Sequence, residues 1–296
     1  MKAPRRRDFL KGAAGAGWGM QAAAAPKALP TVELGQYRVS RLIAGGNPMR
    51  GFSHSSKKLS QHMLDYFTAP EITKFLLRCG QEGITTFQSS YSATVRDGLV
   101  GAWERGSSIQ FICLTSDRHT DLAEVLRLKP IAVCHHGGVT DGLFRAGQAE
   151  KVRDFVKKVH DRGVPAGVST HNPDYLARME DAGWESDLYM TCFYNMTRTD
   201  DELEAMLRHR VLGEVFVASD PPRMAARIRQ CSKPCLAFKI LAAGRLSETE
   251  RDLEEAFRFA YASIKPTDAV IVGMYPVFSD EVAQDAELAR KYSKAT

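Results

Sequence analysis

Histidines, a lysine and hydroxyl side chains stand directly after short apolar runs in this sequence, where each would be delivered to the end of a strand. Ile131-Ala132-Val133-Cys134 is too short for a helix and lies between Pro130 and Gly137-Gly138, so it reads as a buried strand, with His135-His136 following it. Ala166-Gly167-Val168 runs in the same way into Ser169-Thr170-His171-Asn172. Cys235-Leu236-Ala237-Phe238 ends at Lys239, Thr85-Thr86-Phe87 at Gln88, and Leu188 to Phe193 at Tyr194-Asn195. Imidazoles so placed do acid–base work near neutral pH. A lysine ending an apolar strand must bring its ammonium into the mouth or lose its proton. It can then anchor an anion or attack a carbonyl as a free amine. The plainer alternatives are a hydrogen-bonded histidine at the strand end, a mere turn at His171-Asn172, a core Tyr194, and a Lys239 reaching solvent over the rim. His135 is expected to face the site, and His136, by alternation, the helix layer or rim.

The elements that must hold these residues alternate strand and helix. A small hairpin from Thr31 to Val39 precedes a first strand at Arg41 to Gly46. Thr68-Ala69-Pro70-Glu71 has capping-box spacing, and Ile72, Phe75, Leu76 and Cys79 follow on one helical face. Strands two and three are Thr85 to Gln88 and Ile109 to Thr115, the latter followed by a helix from Asp121 to Leu128. Val152, Phe155, Val156 and Val159 mark the helix between strands four and five, and Gly163 stops it. After strand six comes an excursion from Thr197 to Cys231, with a polar helix at Asp200 to Arg208, a strand-like Glu214-Val215-Phe216-Val217, and a helix opened by Asp220-Pro221. A long helix carrying Leu253, Ala256, Phe257 and Ala260 leads to Ala269-Val270-Ile271-Val272, which Gly273 closes as strand eight. Ser279 is expected to cap the last helix. Eight strand–helix units predict a closed (β/α)8 TIM barrel, with the Val215 segment as an insertion on the rim between strands 6 and 7. An open doubly wound sheet lacks its G-x-G-x-x-G turn here. In a barrel the polar strand tips, from Gln88 round to Lys239, should converge on one cavity.

The first residues read as a leader. Arg5-Arg6-Arg7-Asp8-Phe9-Leu10-Lys11, a Gly/Ala tract and Gln21-Ala22-Ala23-Ala24-Ala25-Pro26 have the layout of a twin-arginine export signal spanning residues 1–25. The expected partner is therefore the twin-arginine export machinery, and the expected location the periplasm or the exterior. The tract is a poor membrane span, and no cysteine near the cleavage region offers a lipid anchor. The whole chain is +5, but residues 1–25 hold a net +4, leaving about +1 for residues 26–296. Nothing in that balance favours nucleic acid or an anionic membrane. The remaining length suffices for one large core. Of six cysteines, four lie within apolar patterns and read as buried thiols, while Cys231 and Cys235 could pair in an oxidising compartment.

Taken in order, Val39-Ser40-Arg41-Leu42-Ile43-Ala44-Gly45-Gly46-Asn47, Gly83-Ile84-Thr85-Thr86-Phe87, Cys134-His135-His136, Ala166 to Thr170, and Phe238-Lys239-Ile240-Leu241-Ala242-Ala243-Gly244-Arg245 resemble the aldo-keto reductase family over nearly all of residues 26–296. The resemblance implies a barrel holding NAD or NADP across its mouth. A tyrosine there gives a proton to the substrate carbonyl, aided by lysine, aspartate and histidine. It places His135 at the family histidine and Tyr91 near the family tyrosine, but Gln88 stands where the aspartate is expected and Ser116 where the lysine is. Ser169, Thr170, Tyr194, Gly273 and Ser279 would line the cofactor. Ser279-Asp280-Glu281 offers carboxylates where a 2′-phosphate would need cations, so NAD is at least as suitable as NADP.

The leading expectation is an exported oxidoreductase of this type, acting on a carbonyl or sugar-type small molecule. His135, Tyr91 and Lys239 would be catalytic, with Gln88 and His171 at the substrate. The alternatives are a non-redox lyase, epimerase or Schiff-base enzyme using Lys239 with His135 or His171, and a binding protein that has lost catalysis. A metal site from His135, His171 and Gln88 is weaker, since no close carboxylate or His-x-His pair accompanies them.

Overall fold

A computed structural model describes residues 27–118 and 121–293. The export-signal reading falls on residues 1–25 and so lies outside the described residues. Strands β1 (Thr31–Leu34) and β2 (Tyr37–Ser40) form an antiparallel hairpin, and eight parallel strands close a barrel. In order these are β3 (Leu42–Gly45), β4 (Thr86–Ser90), β5 (Gln110–Thr115), β6 (Ala132–His135), β7 (Ala166–Thr170), β8 (Leu188–Cys192), β9 (Cys235–Phe238) and β10 (Ala269–Gly273), with β10 returning to pair with β3.

Two apolar layers hold this arrangement. Ile43, Ile112, Cys134, Leu188, Met190, Leu236 and Ile271 fill the barrel interior, and Val32, Leu34 and Val39 of the hairpin join that cluster. The hairpin therefore plugs the end of the barrel from which the strands start. The alternate residues, among them Phe87, Phe111, Val133, Val168 and Tyr189, pack outward with the helices. Strands buried on both faces explain the continuous apolar runs in the sequence.

Around the barrel lie α1 (Lys57–Tyr66), α2 (Ala69–Gln81), α3 (Ala93–Glu104), α4 (Leu122–Leu126), α5 (Gly137–Arg145), α6 (Glu150–His160), α7 (Pro173–Asp181), α8 (Asp200–Leu207), α9 (Asp220–Gln230), α10 (Glu250–Ser263) and α11 (Glu281–Tyr292). Several local expectations change. Thr68 occupies the N-cap of α2 but makes no side-chain cap, and the Glu71 carboxylate accepts from Lys74 Nζ at 2.6 Å. The capping box is instead on α8, where Thr199 and Glu202 bond reciprocally. Asp280, not Ser279, caps α11, accepting from Ala283 N at 3.2 Å. The Val215 segment forms no strand and runs irregularly along the rim. Cys231 and Cys235 are buried free thiols. Among the described residues no helix is long and apolar enough to cross a membrane.

The turn after β9 is strained. Ala243 sits at φ 53°, ψ 48°, in the left-handed region that disfavours a Cβ. Ala243→Gly is expected to stabilise the fold by about 1 kcal/mol, net of the added freedom of the unfolded chain. A urea titration of the two proteins checks this, and an unchanged midpoint would show the turn to be unstrained.

Candidate functional site

The mouth of the barrel holds a cleft of about 330 Å³ lined by His54, Asp141, Arg145, His171, Glu214 and Lys239, with Gly138, Gly142, Met196 and Thr197. Two of these, His171 and Lys239, were expected from the sequence. Alternation delivers His171: Val168 packs outward, so Ser169 and His171 turn inward. The His171 ring lies edge-on to Phe238, with centroids 5.3 Å apart. Its Nδ1 is 2.7 Å from Asp141 Oδ2, and its backbone N–H donates to the same carboxylate. Thr170 Oγ1 donates to Asp141 Oδ1 at 2.6 Å. Asp141 is acceptor-only when ionised, so it fixes the proton on Nδ1 and leaves Nε2 free for exchange. Gly137 makes the close approach of α5 to β7 possible: a Cβ there would stand 2.8 Å from His171 Cε1 and from Ser169 Oγ.

Lys239 leaves β9 with φ 58°, a conformation a lysine adopts only when its surroundings hold it there. Its Nζ lies 2.6 Å from His54 Nε2, and His54 Nδ1 lies 2.8 Å from Glu214 Oε2. His54 comes from the loop after β3, and Glu214 from the rim segment after α8. Burial lowers the Lys239 pKa, Cys192 and Glu214 oppose that, and Arg245 adds to it. Glu214 is held below the usual carboxylate range, mainly by its hydrogen bond with His54. An ionised Glu214 can only accept, so His54 Nδ1 carries a proton. With that proton on Nδ1, Nε2 of the neutral ring is the acceptor that faces Lys239 Nζ. This amine can hand its proton along an imidazole to a carboxylate.

The other expected residues are placed elsewhere. His135 does not face the cleft: Cys134 takes the inward position, so the ring turns to the helix layer, 4.9 Å from Phe155, with Nδ1 2.7 Å from Thr140 Oγ1. His135 and Lys239 therefore do not share a cavity, and the histidine that accompanies Lys239 is His54. His136 is the N-cap residue of α5. Tyr91 OH points to Glu124 Oε2, at 3.5 Å. Gln88 alternates with outward-facing Phe87 and so lies on the inner side, but it is not among the cleft's lining residues. Convergence of the strand tips is thus partial. It joins the ends of β7 and β9 with side chains from the loop after β3, from α5 and from the rim segment.

The residues expected around a dinucleotide fit it poorly. Ser169 and Thr170 are 1% and 0% exposed, and the Thr170 hydroxyl is committed to Asp141. Tyr194 is buried edge-on against Phe216, with its pKa pushed up to about 12 by desolvation. Gly273 packs beside Pro48, and Ser279 bonds Gln284 Oε1 at 3.2 Å. Beside it, Asp280 pairs with Arg78.

Four cleft residues stand apart from the strand-end pattern: His54, Asp141, Arg145 and Glu214. Asp141 was the most accessible, since it lies in the segment directly after the strand that ends in His135.

No protein-family model matches the sequence, and no curated protein matches it. Among solved structures the chain is similar to the apo form of Gox0644, at 12% identity and TM-score 0.52, covering 91% of this chain and 97% of that one. It is similar at the same identity and TM-score to a truncated 3-deoxy-D-arabino-heptulosonate 7-phosphate synthase from Thermotoga maritima, covering 89% and 90%. The glycerol dehydrogenase AKR11B4 from Gluconobacter oxydans follows at 10% identity and TM-score 0.50, covering 90% and 97%. The shared feature is the TIM barrel. At such identities aldo-keto reductases stand beside other barrel enzymes, and the likeness extends to the fold alone.

Proposed function

We propose that this barrel is an enzyme of small carbonyl compounds, in which Lys239 acts as an amine nucleophile and His171, held by Asp141, as the acid–base group. The observation that carries the reading is Lys239 Nζ at 2.6 Å from His54 Nε2, with Glu214 behind it, in the cleft that His171 also lines. Burial lowers the lysine pKa, so a larger neutral fraction is available than on an exposed lysine. In the step proposed, the nitrogen lone pair forms a C–N bond to the carbonyl carbon while the C=O π pair moves to oxygen, which takes a proton from His171 Nε2. The nitrogen's surplus proton passes to His54. His171 Nε2, recharged from solvent, gives the new hydroxyl a second proton, and water leaves as the nitrogen lone pair closes a C=N linkage, a sink for the electrons of a bond broken at the neighbouring carbon. Lyase and epimerase outcomes share that intermediate, so the class is non-redox carbonyl chemistry.

The test is reductive trapping. The protein is incubated with small aldehydes and ketones and treated with borohydride, which delivers hydride to the imine carbon and fixes a secondary amine. Peptide mapping by mass spectrometry should place the adduct on Lys239, and a protein that gains no adduct there overturns the reading. Nicotinamide-dependent reduction has less support, because Ser169 and Thr170 are enclosed and Tyr91 is turned toward Glu124. Saturable binding of NAD(H) or NADP(H), with hydride transfer to a carbonyl, would favour it instead.

The pH dependence follows from the same groups. Imine formation needs neutral amine, so the trapping rate should rise with pH through a midpoint below the ordinary lysine value. The stability term has the same sign. Folded Lys239 binds fewer protons than its unfolded counterpart, so the cost of burying it is largest below the folded pKa and disappears as pH rises to the unfolded one. Glu214 acts at the other end: its favourable pairing is present above the unfolded carboxylate pKa and is lost as pH falls through its lowered folded value. A trapping profile with its midpoint at the ordinary lysine value would contradict the burial of Lys239.

A further inference from the structure

We infer that the substrate of this cleft carries an anionic group, a carboxylate or a phosphate, which Arg145 binds; the inference rests on the amine reading of Lys239. The charges of the cleft are otherwise matched. Asp141 is committed to His171 and Thr170, and Glu214 to His54, which also meets Lys239. Nearby Arg198 is paired with Asp220. Among the described residues no carboxylate lies within ion-pair distance of Arg145, whose Nη2 donates to the Thr197 carbonyl. That single bond leaves most of the guanidinium fork available, and the fork matches the two oxygens of a carboxylate or phosphate.

The anchor beneath Arg145 is itself fixed. Thr197 N donates to Asn195 Oδ1 at 3.0 Å, Thr197 Oγ1 to the same oxygen at 2.7 Å, and Asn172 Nδ2 to Thr197 Oγ1 at 3.0 Å. A guanidinium resting on so constrained a carbonyl is oriented before any ligand arrives. The wall below it is open. Gly138, Asp141, Gly142 and Arg145 follow at helical spacing on the face of α5 that lines the cleft, and a Cβ at Gly142 would meet nothing within 4 Å. A ligand can therefore lie along bare helix backbone, with its anionic end on Arg145 and its carbonyl carbon at Lys239. This two-point arrangement selects 2-oxo acids or phosphorylated aldehydes and ketones over neutral carbonyl compounds.

The experiment compares borohydride trapping of pyruvate, dihydroxyacetone phosphate and neutral hydroxyacetone, each normalised to its reaction with free N-acetyl-lysine. For the wild-type protein at least one anionic probe should be trapped on Lys239 about tenfold faster than hydroxyacetone, the ratio expected from one modest charge-assisted contact. The probe that wins distinguishes carboxylate from phosphate. Arg145→Gln should bring the ratio close to one, while Arg145→Lys, which keeps the charge but loses the fork, should retain part of it. Thermal melts confirm that each variant is folded. Equal normalised rates in the wild type, or a preference that survives Arg145→Gln, overturn the inference while leaving the amine reading standing. Failure of all three probes to mark Lys239 removes the amine reading, and this inference with it.

Discussion

Lys239→Met should abolish the borohydride adduct and lower any carbonyl turnover on the order of 10³-fold or more, because no other amine takes the place of the nucleophile. Methionine keeps an unbranched stem of similar length, so contacts in the cleft wall are retained. It also removes an amine whose burial disfavours its charged form. The variant should consequently melt no lower than the wild type, which separates a chemical loss from a folding defect. Intact-mass analysis after trapping and a thermal melt are sufficient. Continued labelling at another lysine with unchanged turnover would remove Lys239 from the chemistry.

Arg41→Met is expected to be the most damaging single change to the fold. Arg41 is 4% exposed at the start of β3, and its guanidinium donates to three backbone carbonyls: Asp268 O at 3.0 Å, Ser293 O at 2.6 Å and Lys265 O at 3.1 Å. It also lies over the Tyr261 ring, 5.2 Å from its centroid. One side chain thus ties the first barrel strand to the loop before the last and to the end of α11, at the point where the barrel must close. Methionine fills the stem's volume but takes the guanidinium donors from three carbonyls, of which Lys265 O keeps Asp268 N–H at 3.0 Å, at a cost of about 3 to 4 kcal/mol. Tm should fall by roughly 5 to 10 °C for a domain of this size. A fall within 1 to 2 °C, as for a surface substitution, would mean that water replaces the lost donors.

The barrel was legible in the sequence because its strands are apolar on both faces and its helices on one, and those two patterns alternate eight times. The same property hid the direction of the histidines. Val133 and Cys134 are both apolar and both fully buried, so nothing in β6 tells which face is inward, and His135 came out on the helix side. Lys239 stood out because a cation at the end of an apolar run has few tolerable positions. Its partners did not stand out: His54 and Glu214 are 160 residues apart in irregular segments that carry no periodicity. Asp141 was missed for another reason. The glycines at 137 and 138 mark in the sequence only the boundary of the preceding strand, whereas they open α5 against β7.

Glu214 belongs to the excursion between α8 and α9, and that excursion contributes no strand to the barrel. The molecule therefore divides its labour: the sheet closes without that strip of rim, while Glu214 on the strip reaches His54 beside Lys239. Shortening that strip should leave a folded barrel with a misprotonated amine. Altering its sequence offers a route by which reactivity could diverge between lineages without any change of scaffold.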